Sequence, residues 1–308
     1  MISIEEVAAR SAPLALANVS WSAGAGVHAL VGGSESGGLL LLRLIAGAAR
    51  PRSGRVRVLG RAPTEGAVRA QVAYVPRPCP LPSAMTVAEV LALASIIRGE
   101  PHRPAAERLR TLGVEALASR SVDTLSREET RAVAVAEAAT STRVRVLLIE
   151  EPFLDLDARS APHLPSLLRA RSQDGCAVVI ATSSMRDASE IADDCVLLRG
   201  GSIVGPTASV DGQAVTSALG VRLRIVASDA RVLASALSAE EGVDAVARRD
   251  GAVIVRGQDT LQVARAASRA ILASGVNVSE IRLQPPQVDE LSSAKPSVTS
   301  MSSRGRWS

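Results

Sequence analysis

The chain has 308 residues, 47% of them hydrophobic and 21% charged, with a formal net charge of +4. That length suits one large core or a large and a small domain, and no apolar run reaches the roughly 18–20 residues that span a bilayer. Aromatics make up 1% and all basic residues but Lys295 are arginines spread along the chain, which argues against a nucleic-acid face built from a basic patch and stacking rings. Cys79, Cys176 and Cys195 are scattered and odd in number, and His28, His102 and His163 lie far apart, so neither a disulfide framework nor a metal spacing is expected. The N-terminal MISIEEVAAR is acidic and strand-like rather than a secretory leader, and a cytoplasmic location follows as the expectation.

In chain order, Met1 to Val7 alternates as an edge strand and Leu14 to Trp21 as a second strand. A strand at Ala29 to Val31, a glycine-rich turn and a helix from Leu39 to Ala46 follow. Arg55 to Leu59 and Val72 to Val75 read as strands. Thr86, a candidate N-cap, opens a helix to Ile97, and Pro104–Leu112, Val114–Ala118 and Glu128–Ala139 read as further helices. Residues from about 77 to 140 thus form a helical insertion. Val144–Ile149 is a buried strand, Ala158–Ser172 a helix with Pro165 as a kink, Ala177–Ala181 a strand and Met185–Ala192 a helix. Gly200-Gly201 marks a hairpin. Strands alternating with helices argue for an α/β fold with a mostly parallel sheet covered on both faces. Residues 209–219 read as a linker, and the pattern then restarts on a smaller scale. Over residues 220–291 the order βαββαβ, with a hairpin at Asp250-Gly251, fits a small ferredoxin-like α+β domain. The tail, 292–308, is expected to be disordered.

The stretch ALVGGSESGGLLLLRLIAG, Ala29 to Gly47, carries the functional signal. A strand, a turn with Gly32, Gly33, Gly37 and Gly38, and a helix point backbone N–H groups at one spot, which suits a phosphate. Gly32 and Gly37 have the spacing of the phosphate-loop pattern G-x-x-x-x-G-K-[ST]. Gly38 stands where the lysine belongs and Leu39 where the Ser/Thr belongs.

Further landmarks follow in order: AYVPR (73–77), TLSREETRAVAVAEA (124–138), VLLIEEPFLDLD (146–157) and VVIATSSM (178–185). Together with the phosphate loop they resemble the nucleotide-binding subunit of an ATP-binding cassette (ABC) transporter over roughly residues 2–208. The resemblance implies a phosphate loop at Gly32–Leu40, with Gly33, Ser34, Glu35 and Ser36 between its outer glycines. It also implies a Q-loop ending at Arg77, a signature at Leu125–Glu129, a Walker B carboxylate at Glu150, a water-polarising glutamate at Glu151 and a switch position at Ser183. The family's cofactors would be ATP and Mg²⁺, with Glu150 the candidate metal-side carboxylate.

Set against that pattern, lysine and Ser/Thr are replaced by Gly38 and Leu39, a loop glycine by Glu35, the Q-loop glutamine by Arg77 and the switch histidine by Ser183. The signature keeps Ser126 but has Arg127 and Glu128 in place of its glycines. The sequence reading is therefore a cassette-type exporter subunit whose ATP hydrolysis is lost and whose ATP binding is weak or absent, with Glu151 vestigial. Its implied partners are a membrane permease and a dimer mate, either an intact paralogous ATPase or a second copy. The export assignment rests on the C-terminal module and the closing PPQVDEL (285–291), which resemble an appendix of drug- and polysaccharide-export subunits. The competing reading is a non-catalytic pseudo-ATPase scaffold or regulator.

Overall fold

The computed structural model describes residues 1–204, 208–209, 221–249, 251–257 and 259–284. The expected linker beyond Ser209, the Asp250 side of the hairpin turn, the PPQVDEL segment and the 292–308 tail lie outside the described residues.

Two sheets and the helix between them place the phosphate loop. Strands β1 (Ile2–Ser11), β2 (Leu14–Ala23) and β4 (Ser53–Val58) form an antiparallel sheet in the order β2-β1-β4. β1 is therefore its central strand, not the edge strand expected. Alternation reports which face is buried, here Ile2, Ile4 and Val7, and carries no information on how many neighbours a strand has.

The second sheet holds β3 (Gly26–Val31), β5 (Val72–Val75), β6 (Val146–Glu150), β7 (Ala177–Thr182) and β8 (Asp194–Arg199), which pair in parallel along the path β8-β3-β7-β6-β5. β9 (Ser202–Ile203) folds back on β8 through Gly200-Gly201, and β10 (Ala208–Ser209) also pairs antiparallel with β8, farther along that strand. β6 and β7 are buried throughout, as strands covered on both faces must be.

Helix α1 (Gly38–Ile45) buries Leu40, Leu41, Leu42, Leu44 and Ile45. A helix apolar on most of its circumference is one packed on more than one side. α1 lies against β6 and β7 on one side and β1, β2 and β4 on the other.

Beyond the short α2 (Gly66–Arg69), the helical subdomain comprises α3 (Val87–Arg98), α4 (Ala105–Arg110) and α5 (Arg127–Thr140). α3 starts at a capping box: Thr86 Oγ1 accepts the Glu89 N–H while the Glu89 carboxylate accepts the Thr86 N–H. Buried Arg108 ties the three helices together. Its guanidinium donates to Leu91 O (3.0 Å), Ser95 Oγ (3.0 Å), Thr140 Oγ1 (2.8 Å) and Glu137 O (2.8 Å).

Two expected helices are shorter than their sequence patterns. Val114–Ala118 is a single 3-10 turn at Glu115–Leu117. Ala158–Ser172 becomes another such turn at Ala161–His163 and then α6 (Leu164–Gln173). Pro165 falls in the first turn of α6, where its missing N–H has no intrahelical partner to lose, so it starts a helix rather than kinking one. α7 (Met185–Ile191) completes the cover.

The C-terminal unit runs β11 (Val221–Ala227), α8 (Ala230–Ser238), β12 (Ala245–Arg249), β13 (Ala252–Gly257), α9 (Thr260–Ser274) and β14 (Val278–Gln284). Its sheet is antiparallel in the order β12-β13-β11-β14. Leu223, Ile225, Val253 and Val255 form a core of their own with Leu233, Leu237 and Val263 of the two helices. Among the described residues no helix is long and apolar enough to cross a membrane.

Candidate functional site

The loop between β3 and α1 is held largely by its own backbone. The Gly32 N–H donates to Thr182 O (3.0 Å) at the end of β7. Gly37, the N-cap of α1, sits at φ +95°, a conformation that L side chains rarely adopt. Inside the loop the Ser36 N–H donates to Gly33 O (2.9 Å), and the buried Ser36 hydroxyl accepts the Gly38 N–H (3.3 Å). Two amides of the phosphate-loop stretch are thus engaged within it. Ser34 and Glu35 form the exposed tip. Leu40 is buried and Leu39 half-buried against the core around α1, so the residue at the Ser/Thr position serves packing.

Glu150 ends β6 and is 2% exposed. Its Oε1 accepts from the Tyr74 hydroxyl, its Oε2 accepts the Arg77 N–H (2.9 Å), and Arg43 Nε lies 3.9 Å away. Burial, and then the Glu150 carboxylate, push the Tyr74 hydroxyl well above its ordinary range and keep it a donor. Where the sequence offered Glu150 as a metal-side carboxylate, both of its oxygens are held by protein donors. Among the described residues no three His, Cys, Asp or Glu side chains gather as a metal site.

Glu151 follows in a left-handed conformation, φ +40°. Its Oε2 accepts from the Thr182 hydroxyl (3.1 Å) and its Oε1 from the Ser183 N–H (3.0 Å). Burial raises its carboxyl above the usual range, and these two bonds only partly offset that. Ser183, at the switch position, thus meets Glu151 through its backbone.

Ser126 caps α5. Its hydroxyl accepts the Glu129 N–H (3.1 Å), and the Glu129 carboxylate accepts the Ser126 N–H (2.8 Å) while pairing with Arg120 (2.6 Å). The S-x-x-E spacing that spells a capping box is legible in the sequence, and it brings a carboxylate to a helix N-terminus that would otherwise suit an anion.

Arg77 donates from Nε (3.0 Å) and Nη2 (2.9 Å) to Asp155 Oδ2, and Arg127 Nη1 stands 3.9 Å from Asp155 Oδ1. The structure therefore brings Arg77 and Arg127 together, and sets Glu150 and Glu151 back to back with their carboxylates on different partners. Tyr74, Asp155 and Arg131 fall within the sequence landmarks 73–77, 146–157 and 124–138, yet the sequence gives Tyr74 only a packing role and the other two none. Arg131, buried on α5, donates to Pro76 O, Glu150 O and Glu151 O (3.1 Å), joining the helical subdomain to the strand ends. The available signal for it was an arginine on the apolar face of a predicted helix.

Residues 16–154 match the family model described as ABC transporter. Among curated proteins, the molybdate/tungstate import ATP-binding protein WtpC of Pyrococcus horikoshii is 29% identical over 65% of this chain and 60% of its own length. The molybdenum import ATP-binding protein ModC of Rhizobium etli is 33% identical over 60% of this chain and 55% of its own. For the sulfate/thiosulfate import ATP-binding protein CysA of Thermosynechococcus vestitus the values are 33%, 59% and 56%. The chain spans between 38% and 60% of the length of the first such relatives it matches. Among solved structures, the ATP-binding cassette MJ0796, a dimer in a post-hydrolysis state bound to ADP and phosphate, aligns with a TM-score of 0.61 at 20% identity, over 69% of this chain and 100% of that one. A cbiO1 subunit of Clostridium perfringens, part of a cbiONQ transporter complex, aligns at 0.57 and 18% over 71% and 92%. At such identities the likeness establishes the fold, a P-loop cassette of mixed sheets and helices.

Proposed function

From the match of residues 16–154 to the ABC transporter family model, we propose that this chain is a transporter cassette subunit that hydrolyses no ATP and binds it weakly or not at all. One observation carries the reading. Gly38 and Leu39 put neither an ammonium nor a hydroxyl in the phosphate loop, and no lysine precedes Lys295. Each lost charge-assisted hydrogen bond removes about 1.5–3 kcal/mol, or roughly ten- to a hundredfold in affinity. Phosphoryl transfer depends on that lysine and the metal to neutralise charge. The intraloop bonds of Ser36 and Gly38 and the capture of Glu150 by Tyr74 and Arg77 support the same conclusion.

In this proposal residues 1–208 are the cassette, 209–219 a linker, and 220–291 a ferredoxin-like domain, a reading supported by the strand order β12-β13-β11-β14. The subunit dimerises, as MJ0796 does by its title, and sits on the cytoplasmic face of the membrane through a permease. For transport direction the supports diverge: the C-terminal module favours export, while the curated relatives of the cassette region are named as import proteins. Transport by the reconstituted complex in oriented vesicles decides it. The scaffold reading is favoured by one specific observation. The phosphate loop and the signature are both altered, so both shared sites of a dimer with an intact mate would carry a defect.

The test is calorimetric titration with ATP, with and without Mg²⁺. No measurable heat, or a millimolar dissociation constant, is expected, and a micromolar constant for MgATP refutes the proposal. The Gly38→Lys, Leu39→Thr double variant should remain without ATPase activity, because Ser183 and Arg77 are unchanged.

A further inference from the structure

Between the segment after β5, the start of α5 and the turn after β6 lies a half-open cavity of about 490 Å³. Arg77, Cys79, Arg127, Thr130, Arg131 and Asp155 line it, with apolar wall from Pro78 and Leu125. Three guanidinium groups face one carboxylate. Arg77 occupies one oxygen of Asp155 at 2.9–3.0 Å. Arg127 reaches the other only at 3.9 Å, with its side chain 77% exposed. Arg131 is 2% exposed, and its terminal nitrogens are engaged by the carbonyls of Pro76, Glu150 and Glu151 and by Cys79 Sγ (3.2 Å). Its Nε has no hydrogen-bond partner. Among the described residues no carboxylate lies within salt-bridge distance of Arg131. Carbonyl dipoles satisfy N–H donors without supplying a counter-charge, and an uncompensated buried cation is costly. The cleft is thus built with a surplus of two positive charges.

We propose that this cleft binds a small phosphomonoester. Arg127 would take the phosphate oxygens through paired N–H donors, the geometry in which arginine excels, while Arg77, its fork held by Asp155, adds charge beside them. Pro78 and Leu125 would cover the organic part. The volume lies within the range of small-molecule pockets, roughly 300–1,000 Å³, and exceeds what a bare inorganic anion fills. None of residues 32–40 lines the cavity, so the site needs no phosphate-loop lysine, although Arg77 and Arg127 also stand at the Q-loop and signature positions.

Cys79 offers a local readout, being half-buried while Cys176 and Cys195 are buried. The full-length protein is alkylated with N-ethylmaleimide, followed by intact mass, in the presence of ribose 5-phosphate, ribose, inorganic phosphate or MgATP. Ribose 5-phosphate is expected to slow Cys79 labelling and raise the melting temperature. Arg127→Ala, at an exposed position the fold tolerates, should weaken its binding about ten- to a hundredfold, and Glu35→Gln at the phosphate-loop tip should leave it unchanged. Undiminished labelling at millimolar ribose 5-phosphate overturns the proposal, as does protection that survives Arg127→Ala or is lost in Glu35→Gln. Equal protection by ribose or by inorganic phosphate overturns the assignment to a phosphomonoester. MgATP protection that follows Glu35 rather than Arg127 would instead count against the non-binding cassette, which keeps the two failures apart.

Discussion

Tyr74→Phe isolates the bond from the Tyr74 hydroxyl to the buried Glu150 carboxylate. The substitution keeps the ring and removes the hydroxyl that donates to Glu150 Oε1. Glu150 is 2% exposed, so water does not replace the lost donor, and the carboxylate keeps only the Arg77 N–H and the more distant Arg43. A hydrogen bond to a charged group is worth about 1.5–3 kcal/mol. In a cassette of this size each kcal/mol moves the melting temperature by about 2–4 °C, so a fall of roughly 3–12 °C is expected. Because the Tyr74 hydroxyl is held far above its ordinary range, the cost should be constant between about pH 6 and 9. Urea unfolding followed by far-UV circular dichroism measures it, with Glu150→Gln and the double variant closing a cycle whose coupling should be about 1.5–3 kcal/mol. A Tyr74→Phe protein within about 0.5 kcal/mol of wild type, together with Mg²⁺-dependent ATP binding that Glu150→Gln abolishes, would refute the reasoning.

Arg108→Met should destabilise the helical subdomain by about 3–5 kcal/mol, because Leu91, Ser95, Glu137 and Thr140 lose one shared donor group; a urea midpoint unchanged from wild type would contradict this. Ser126→Ala should cost about 1 kcal/mol through the lost cap of α5 and leave any nucleotide affinity unaltered, which the same denaturation and titration check. His28 carries a pH dependence. Burial alone would lower its pKa, but the Asp194 carboxylate (2.9 Å), the Gly24 carbonyl and Asp193 together raise it above 6.5. A raised folded pKa means stability that is fully present below the unfolded value and lost as pH rises through the folded one. The stability difference between wild type and His28→Asn should therefore be larger at pH 5.5 than at pH 8.5, and an equal or reversed difference would disprove the assignment.

Much of the cassette was legible because its signals are local. The all-apolar runs at Ala29–Val31 and Ala177–Ala181, the Thr86 cap and the Gly200-Gly201 hairpin each report their own environment. What escaped depends on partners distant in sequence. The central position of β1 is created by β4 pairing on its far side, and no property of Ile2 to Ser11 announces that. Ala158–Ser172 has helical composition, yet a 3-10 turn at Ala161–His163 precedes the helix proper. At the site, Glu150 was read by its place in a motif, whereas its behaviour is decided by a tyrosine 76 positions earlier in the chain. Arg131 and Asp155 fall within the landmarks 124–138 and 146–157, but a motif assigns them no partner, and only the folded chain shows them meeting the strand ends and Arg77.

Gly37 and Gly38 sit side by side, yet they answer to different masters. A Cβ on Gly37 would stand 2.6 Å from Leu16 Cδ2 and 2.7 Å from Ala15 O, in a backbone conformation already hostile to side chains. A Cβ on Gly38 would find its nearest neighbours, Leu198 Cδ1 and Ser36 Oγ, at an ordinary 3.6 Å. A side chain is therefore blocked at 37 by packing and backbone conformation, and sterically admissible at 38. The same asymmetry makes position 38 a permissive place to graft a lysine back without disturbing the scaffold.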